Sequence, residues 1–140
     1  MGIEENKAIV KRYIEEILNS LDYTHAKELM HEDFFGLGGA IKTVEDHEKR
    51  FKEQRKQAPD LRNNLKGLIA EGNKVVAISS LTVTDISGYA GHPPTNKKLE
   101  IKVIAVYTLK DGKIVKGEIL TDSLGMFQQL GFYPPLPEGK

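Results

Sequence analysis

Cysteine and tryptophan are missing from this chain of 140 residues, and its 20 basic and 20 acidic side chains cancel. The lack of cysteine excludes disulfides, thiol nucleophiles, zinc–thiolate sites and iron–sulfur clusters. The lack of net charge argues against nucleic acid as a partner, because binding to phosphates depends on a basic excess or patch. Proton transfer by carboxylates is the chemistry that remains.

Long apolar runs are missing as well. Residues 1–20 mix charged and apolar side chains and lack the apolar stretch of a secretion signal. No other run approaches the roughly 20 apolar residues that span a bilayer. Since this length suits one domain, the sequence predicts a single domain over residues 1–140, in the cytoplasm and without a membrane partner.

The first third of the chain has apolar residues at helical spacing. This spacing predicts an amphipathic helix over about residues 10–21 and a shorter helix over about residues 26–30. Residues 34–42 (FFGLGGAIK) are rich in glycine and predict a connection. They lack the G-x-G-x-x-G pattern of a dinucleotide site and the G-K-[ST] of a P-loop, so no phosphate site is predicted.

A third helix is predicted to begin after Thr43. Thr43 and Asp46 resemble a capping box, in which side chains at the start of a helix accept its free N–H groups. The helical pattern continues to about Gln57, and Pro59 ends it.

Beyond residue 60 the apolar period changes from about 3.6 to about 2, which predicts strands. Four strands are expected, at residues 65–70, 75–84, 99–109 and 114–121. The pairs Gly72-Asn73 and Asp111-Gly112 are hairpin signals, so successive strands should be antiparallel neighbours. Helices followed by a meander of strands predict an α+β domain with its helices on one face of the sheet.

The four histidines do not have the spacing of metal ligands, and no metal site is predicted. They are His25, His31, His47 and His92. His47 shares a helical stripe with Val44 and Phe51 and should therefore face inward. Two interpretations stay open: a hydrogen-bonded histidine of the core, or a donor or proton carrier that lines a pocket.

Two carboxylates lie at the last predicted strand: Glu118 is on it, and Asp122 directly follows it. Their backbones should be about 13 Å apart, further than the roughly 5–9.5 Å of glycosidase carboxyl pairs, so each is treated separately. Asp122 directly precedes a short helix predicted over residues 123–130, where an aspartate commonly caps the helix. Alternatively, a lone Asp122 in an apolar pocket could exchange a proton near neutral pH.

The pairing of the last strand has two alternatives. A two-residue turn at Asp111-Gly112 would place Glu118 opposite Ala105. A type I turn with a bulge at Gly112 would place Glu118 opposite Ile104 and would give the last strand a more apolar inner face.

Several strings of the sequence are similar to one family. They are LIAEGNKVVA, GYAGHPPTNKKLEI and, most specifically, KDGKIVKGEILTDSLGMFQQLGF. Over residues 6–133 the chain resembles the SnoaL-like polyketide cyclases, or ester cyclases, of the NTF2-like superfamily. The resemblance implies an α+β cone in which three N-terminal helices pack on a curved, mainly antiparallel sheet and enclose an apolar pocket. It also implies a homodimer.

The resemblance implies that Asp122 is catalytic. In the polyketide cyclases an aspartate at this position is the acid/base of an intramolecular aldol ring closure that uses no cofactor. It removes a proton alpha to a carbonyl group and returns one to the product oxygen. Family members usually have tryptophan where this chain has Glu118.

Eight further residues are predicted to bind the substrate, a small hydrophobic or carbonyl-containing molecule. His47 and Glu118 would be polar lining, and the loop with Tyr89 and His92 would be a lid. The apolar walls would be Tyr13, Phe34, Phe51 and Leu120. Because one fold hosts several functions, an enzyme, a ligand carrier and a dimeric scaffold without a ligand all stay open.

Overall fold

Helices form most of the first half of the chain and strands most of the second. The computed structural model describes residues 2–89 and 91–132, so Ala90 and the two ends of the predicted domain lie outside the described residues. The helices are α1 (Ile3–Arg12), which continues as a π-helical segment (Tyr13–Asn19), α2 (Ala26–Leu29), α3 (Val44–Gln57) and α4 (Ser123–Leu130). The strands are β1 (Met30–Gly36), β2 (Arg62–Glu71), β3 (Lys74–Thr84), β4 (Lys98–Lys110) and β5 (Lys113–Thr121). Within the described ranges, no helix is both long and apolar enough to cross a membrane.

The strands form one sheet in the order β1-β5-β4-β3-β2. The predicted meander of β2 to β5 is confirmed as antiparallel, and β1 lies parallel to β5. The predicted connection over residues 34–42 is wrong at residues 34–36, which belong to β1. The β1 sequence, MHEDFFG, lacks regular alternation, so this edge strand depends on pairing with the distant β5. The α+β class is confirmed.

Side chains cap α3 and α4 at the predicted positions. Thr43 Oγ1 accepts the Asp46 N–H at 3.0 Å, and Asp122 Oδ1 accepts the Gly125 N–H at 2.9 Å. Each such cap stabilises a helix by about 1 kcal/mol. α4 ends at Gly131, whose φ of 89° lies in the left-handed region that glycine adopts without strain.

The β4–β5 hairpin combines features of both predicted registers. Asp111 and Gly112 have φ values of 54° and 74°, as a two-residue turn of type I′ requires. An extra β5 residue, Val115, then shifts the pairing, so that Glu118 lies opposite Val106. Neither predicted partner of Glu118 is therefore right. The second alternative placed Ile119 on the inner face, as observed, but it also placed Val115 there, whereas Ile114 is the buried residue at the shift.

Different helices cover the two ends of the inner face of the sheet. At one end the π-helical segment buries Ile14 and Ile17 in the larger apolar cluster. At the other end, Leu130 of α4 packs in a smaller cluster with the start of β4. Each such side chain contributes about 1.5–3 kcal/mol when it is buried. Where the clusters meet, Val103 and Ala105 of β4 border a cavity.

The outer face of the sheet carries exposed apolar side chains. Ile78, Ile104 and Leu120 are neighbours on β3, β4 and β5, and Leu120 is 75% exposed. Apolar residues that pair across neighbouring strands on the same face extend this surface. Together these residues form the outer patch, which consists of Ile69, Val76, Ile78, Ile104, Val106 and Leu120.

Candidate functional site

A cavity of about 560 Å³ lies between the inner face of the sheet and the helices. This volume is within the range of small-molecule sites, about 300–1,000 Å³. The sheet contributes Asn63, Ala77, Ser79, Leu81, Val103, Ala105, Tyr107, Ile119 and Thr121. The helices and turns contribute Tyr13, Ile14, Leu18, Leu37, Arg50, Phe51, Glu53, Gln54, Gln57 and Leu61.

Small residues in the middle of the sheet make room for the cavity. Ala77 and Ser79 are buried on the inner face of β3, and Ala105 is buried beside them on β4. Larger side chains, Val75 and Leu109, occupy the same face where the sheet packs tightly against helices. These residues were not predicted as site residues, although the alternation of β3 and β4 marks them in the sequence as small and inward-facing.

The π-helical segment supplies part of the cavity wall opposite the sheet, beside α3. Its Tyr13, Ile14 and Leu18 line the cavity, and π-helical turns occur frequently at functional sites. Arg55 of α3 donates to the carbonyl oxygens of Leu18 and Asn19 at 2.8 and 3.0 Å. These bonds satisfy carbonyl groups that have no partner within the helix and tie α3 to this wall.

Asn63 places an amide on the wall of the cavity. Its backbone is held by Asn19, whose side chain accepts the Asn63 N–H at 2.7 Å and donates to the Asn63 carbonyl at 2.9 Å. Asn63 Oδ1 is buried and has no hydrogen-bond partner among the described residues. A buried acceptor without a donor costs about 1–3 kcal/mol, and a donor group of a ligand would offset this cost.

His47 lies fully buried behind the cavity wall, between two tyrosines. Its Nε2 is 2.7 Å from the Tyr13 hydroxyl, and its Nδ1 is 2.7 Å from the Tyr23 hydroxyl. The ring stacks on Phe51 with centroids 4.2 Å apart and meets the edge of Phe34. Burial lowers the pKa of His47 to about 4, so the imidazole is neutral at neutral pH.

The tyrosines around the cavity keep their protons. Burial raises the pKa of Tyr13 well above its ordinary value, with smaller contributions from Tyr107 and Tyr23. Burial likewise raises the pKa of Tyr107 and Tyr23. These hydroxyls therefore serve as neutral hydrogen-bonding groups rather than as bases.

Asp122 is exposed and does not line the cavity, although the preceding residue, Thr121, does. The Asp122 carboxylate caps α4 through Gly125. A Cβ atom on Gly125 would overlap this carboxylate, so the glycine leaves space for the cap. This geometry agrees with the interpretation of Asp122 as a helix cap. The acid/base role of Asp122 stays a prediction.

Glu118 and Leu120 project from the outer face of β5, away from the cavity. Glu118 pairs with Lys116 at 3.0 Å, and Leu120 belongs to the outer patch. The inward residues of β5 at this level are Ile119 and Thr121. The pairing shift at Val115 decides which residues face inward.

The loop with Tyr89 and His92 packs beside α4 and not on the cavity wall. The Tyr89 ring lies 5.4 Å from that of Phe127, and His92 stacks on Phe132 at 3.6 Å. Asp85 holds the loop by accepting N–H groups from both of its arms. The hydrogen bonds from Thr95, and less strongly that from Gly88, lower the pKa of Asp85.

Of the nine predicted site residues, Tyr13 and Phe51 line the cavity. His47 contacts both of them from behind the wall, and Phe34 contacts His47. Glu118, Leu120, Asp122, Tyr89 and His92 lie elsewhere. Among the described residues, no cluster of three or more histidine, aspartate or glutamate side chains could hold a metal ion.

Sequence comparison gives one family. The profile of the SnoaL-like polyketide cyclases matches residues 8–130. No curated protein is significantly similar to the chain in sequence.

Solved structures share the fold along almost the whole chain. A protein described as a polyketide cyclase from Acidithiobacillus ferrooxidans is 24% identical, with a TM-score of 0.77 over 94% of this chain and 98% of that chain. IdmH from Streptomyces antibioticus, also described as a polyketide cyclase, is 20% identical, with a TM-score of 0.77 over 90% and 98%. A SnoaL-like polyketide cyclase from Agrobacterium tumefaciens is 17% identical, with a TM-score of 0.80 over 94% and 100%. These similarities establish the NTF2-like fold that the resemblance implied.

Proposed function

Because this chain belongs to the SnoaL-like polyketide cyclase family, we propose that it is a cofactor-independent enzyme of the cyclase or isomerase type. Its substrate would be a small carbonyl compound of the cytoplasm. The observation that carries this proposal is the cavity of about 560 Å³. Its walls are mainly apolar, and they would exclude water from a reacting carbonyl group.

The polar groups on the sheet side of the wall suggest the polarity of the ligand. The unpaired Asn63 Oδ1 would accept a hydrogen bond from a ligand hydroxyl or amine. Ser79 and Thr121 add hydroxyls on the sheet side. A mainly apolar molecule with a few oxygen atoms matches this arrangement.

Asp122 would transfer the proton alpha to the carbonyl group, as the resemblance implies. Its neighbour Thr121 lies on the cavity wall, so Asp122 directly follows a wall residue in the chain. To reach the ligand, its carboxylate must release the Gly125 N–H that it accepts in the folded protein.

The proposed activity can be tested with 2-tetralone, a two-ring ketone with acidic hydrogens alpha to its carbonyl group. We expect the protein to bind this ketone and to accelerate the exchange of those hydrogens for deuterium, as followed by proton NMR. An Ala105→Phe variant, which fills the cavity, should lose both properties while keeping its circular dichroism spectrum. Absence of binding by the wild-type protein would contradict the proposal.

The Asp122→Asn variant tests the acid/base. We expect it to exchange the 2-tetralone hydrogens about 100-fold more slowly, the low end of the range for general acid–base catalysis, because the carboxylate is exposed. Its free energy of unfolding should not change, since asparagine caps a helix as well as aspartate does.

An Asp122→Ala variant is the matched control for the cap. It should lose the same activity and also about 1 kcal/mol of stability. Exchange by Asp122→Asn at the wild-type rate would limit Asp122 to its capping role.

A carrier of a small hydrophobic ligand is the second candidate function. The exposed, capping position of Asp122 favours it, because the cavity could bind a ligand without a catalytic carboxylate. Tight binding of 2-tetralone with no acceleration of exchange would support the carrier.

We also propose that two copies of the chain pair through the outer patch. Large contiguous apolar surfaces on soluble proteins mark interaction sites, and this one extends across β2, β3, β4 and β5. A second copy offers an identical apolar face, as a twofold symmetric dimer requires.

A further inference from the structure

Three side chains from separate segments form a hydrogen-bonded row that begins at the cavity wall. Tyr13 lines the cavity, His47 is fully buried behind it, and Tyr23 is only partly buried. Both links in the row measure 2.7 Å. The row therefore connects the cavity with the outer part of the protein through two hydrogen bonds.

The neutral state of His47 determines what each tyrosine can do. A neutral imidazole has one N–H donor and one acceptor nitrogen. If Nδ1 carries the proton, Nε2 accepts the hydroxyl proton of Tyr13, and that proton is not available to a ligand. If Nε2 carries the proton, it donates to the Tyr13 oxygen, and Tyr23 donates its own proton to Nδ1. In this second arrangement the Tyr13 O–H remains free.

We propose that Tyr23, His47 and Tyr13 act as a hydrogen-bond relay that presents the Tyr13 hydroxyl as a donor to the carbonyl oxygen of the ligand. This inference rests on the proposed function of the cavity. Tyr13 is the catalytic residue of the relay, because it touches the ligand oxygen. His47 and Tyr23 are positioning residues that hold the Tyr13 hydroxyl and leave its proton unused.

The surroundings of the relay suit this role. Phe51 stacks on His47 and Tyr107 meets Tyr13 edge to face with centroids 5.4 Å apart, so both rings are held by packing. Removal of a proton alpha to a carbonyl places negative charge on the carbonyl oxygen. A fixed donor in an apolar cavity stabilises that charge strongly. The raised pKa of Tyr13 keeps its proton in place during the reaction.

The first test compares 2-tetralone with tetralin, the same ring system without the carbonyl oxygen. The ratio of the two affinities reports the hydrogen bond to that oxygen, and apolar contacts cancel. We expect Tyr13→Phe to lower this ratio about tenfold, the effect of one hydrogen bond. Tyr107→Phe removes a second hydroxyl from the wall and should keep the ratio, whatever its effect on either affinity.

Tyr23→Phe provides a test from outside the cavity. Without the Tyr23 hydroxyl, Nδ1 of His47 loses the donor that keeps it unprotonated, so Tyr13 can again donate to Nε2. The ketone preference should therefore fall in this variant, although Tyr23 does not line the cavity. A ratio unchanged in both Tyr13→Phe and Tyr23→Phe would overturn the relay.

The tautomer of His47 can be observed directly by nitrogen-15 NMR of protein labelled at histidine. In the 2-tetralone complex we expect the proton on Nε2 and an unprotonated Nδ1. A proton on Nδ1 in that complex would overturn the relay even if 2-tetralone binds, and the proposed function would then stand without it. Failure of the wild-type protein to bind either ring compound would overturn both.

Discussion

Replacing Ile104 with glutamate is expected to turn the proposed dimer into a monomer, with its dissociation constant raised about 1,000-fold. Ile104 lies in the outer patch between Ile78 and Leu120, so a glutamate there would lose its water when two copies pair. Burial of an unpaired charge is strongly unfavourable, and a twofold dimer would bury two of them. A change of about 1,000-fold corresponds to about 4 kcal/mol.

Sedimentation velocity measures this effect, and Ile86→Glu is its matched control. Ile86 is 47% exposed and Ile104 is 48% exposed, but Ile86 lies outside the outer patch. The Ile86→Glu variant should remain dimeric. A monomeric wild-type protein, or an Ile104→Glu variant that still pairs, would contradict the proposed interface.

Acidification from pH 7 to pH 4 is expected to lower the free energy of unfolding by about 3 kcal/mol through His47 alone. Burial lowers the pKa of His47 to about 4 in the folded protein, against about 6.5 for an unfolded chain. Below about pH 6.5 the imidazole binds a proton in the unfolded chain, whereas in the folded protein it binds one only near pH 4. Between these two values, each unit by which the pH falls lowers the free energy of unfolding by about 1.4 kcal/mol. The contribution of His47 is complete above pH 6.5 and is lost as the pH falls toward 4.

Urea unfolding at a series of pH values measures this loss, with His47→Gln as the reference. Glutamine can donate to one tyrosine and accept from the other, but it does not titrate. The other histidines and the carboxylates are present in both proteins, so the difference between the two curves isolates His47. Curves that run parallel from pH 7 to pH 4 would show that the buried imidazole titrates normally.

Local sequence patterns predicted much of the secondary structure. Thr43 and Asp122 cap α3 and α4 at the predicted positions, because a cap depends on residues three apart in the chain. The period of two located β2 to β5 within a few residues. The π-helical segment and β1 were not predicted, since the first continues an ordinary helical pattern and the second is stabilised by β5, which lies far along the chain.

The site was harder to predict, because a wall residue is defined by what lies across the cavity. Tyr13 and Phe51 were predicted through their helical stripes. Nothing about Ala77, Ser79 or Ala105 as a single residue indicates a cavity wall. Only their alignment on adjacent strands shows that they make room together. His47 was expected to face inward, and it does; its two tyrosine partners lie 34 and 24 residues away.

By itself, the sequence determined the chemistry available to this protein, its α+β class, its helix caps and the family to which it belongs. These properties follow from composition and from patterns within a few residues. The tertiary structure decided which side chains face the cavity and which side chains contact one another. One extra residue at Val115 turns Glu118 outward and Ile119 inward, because neighbouring strand residues point to opposite sides of a sheet. Similarly, the absence of cysteine left proton transfer as the chemistry, but only the packing of three segments placed His47 between Tyr13 and Tyr23.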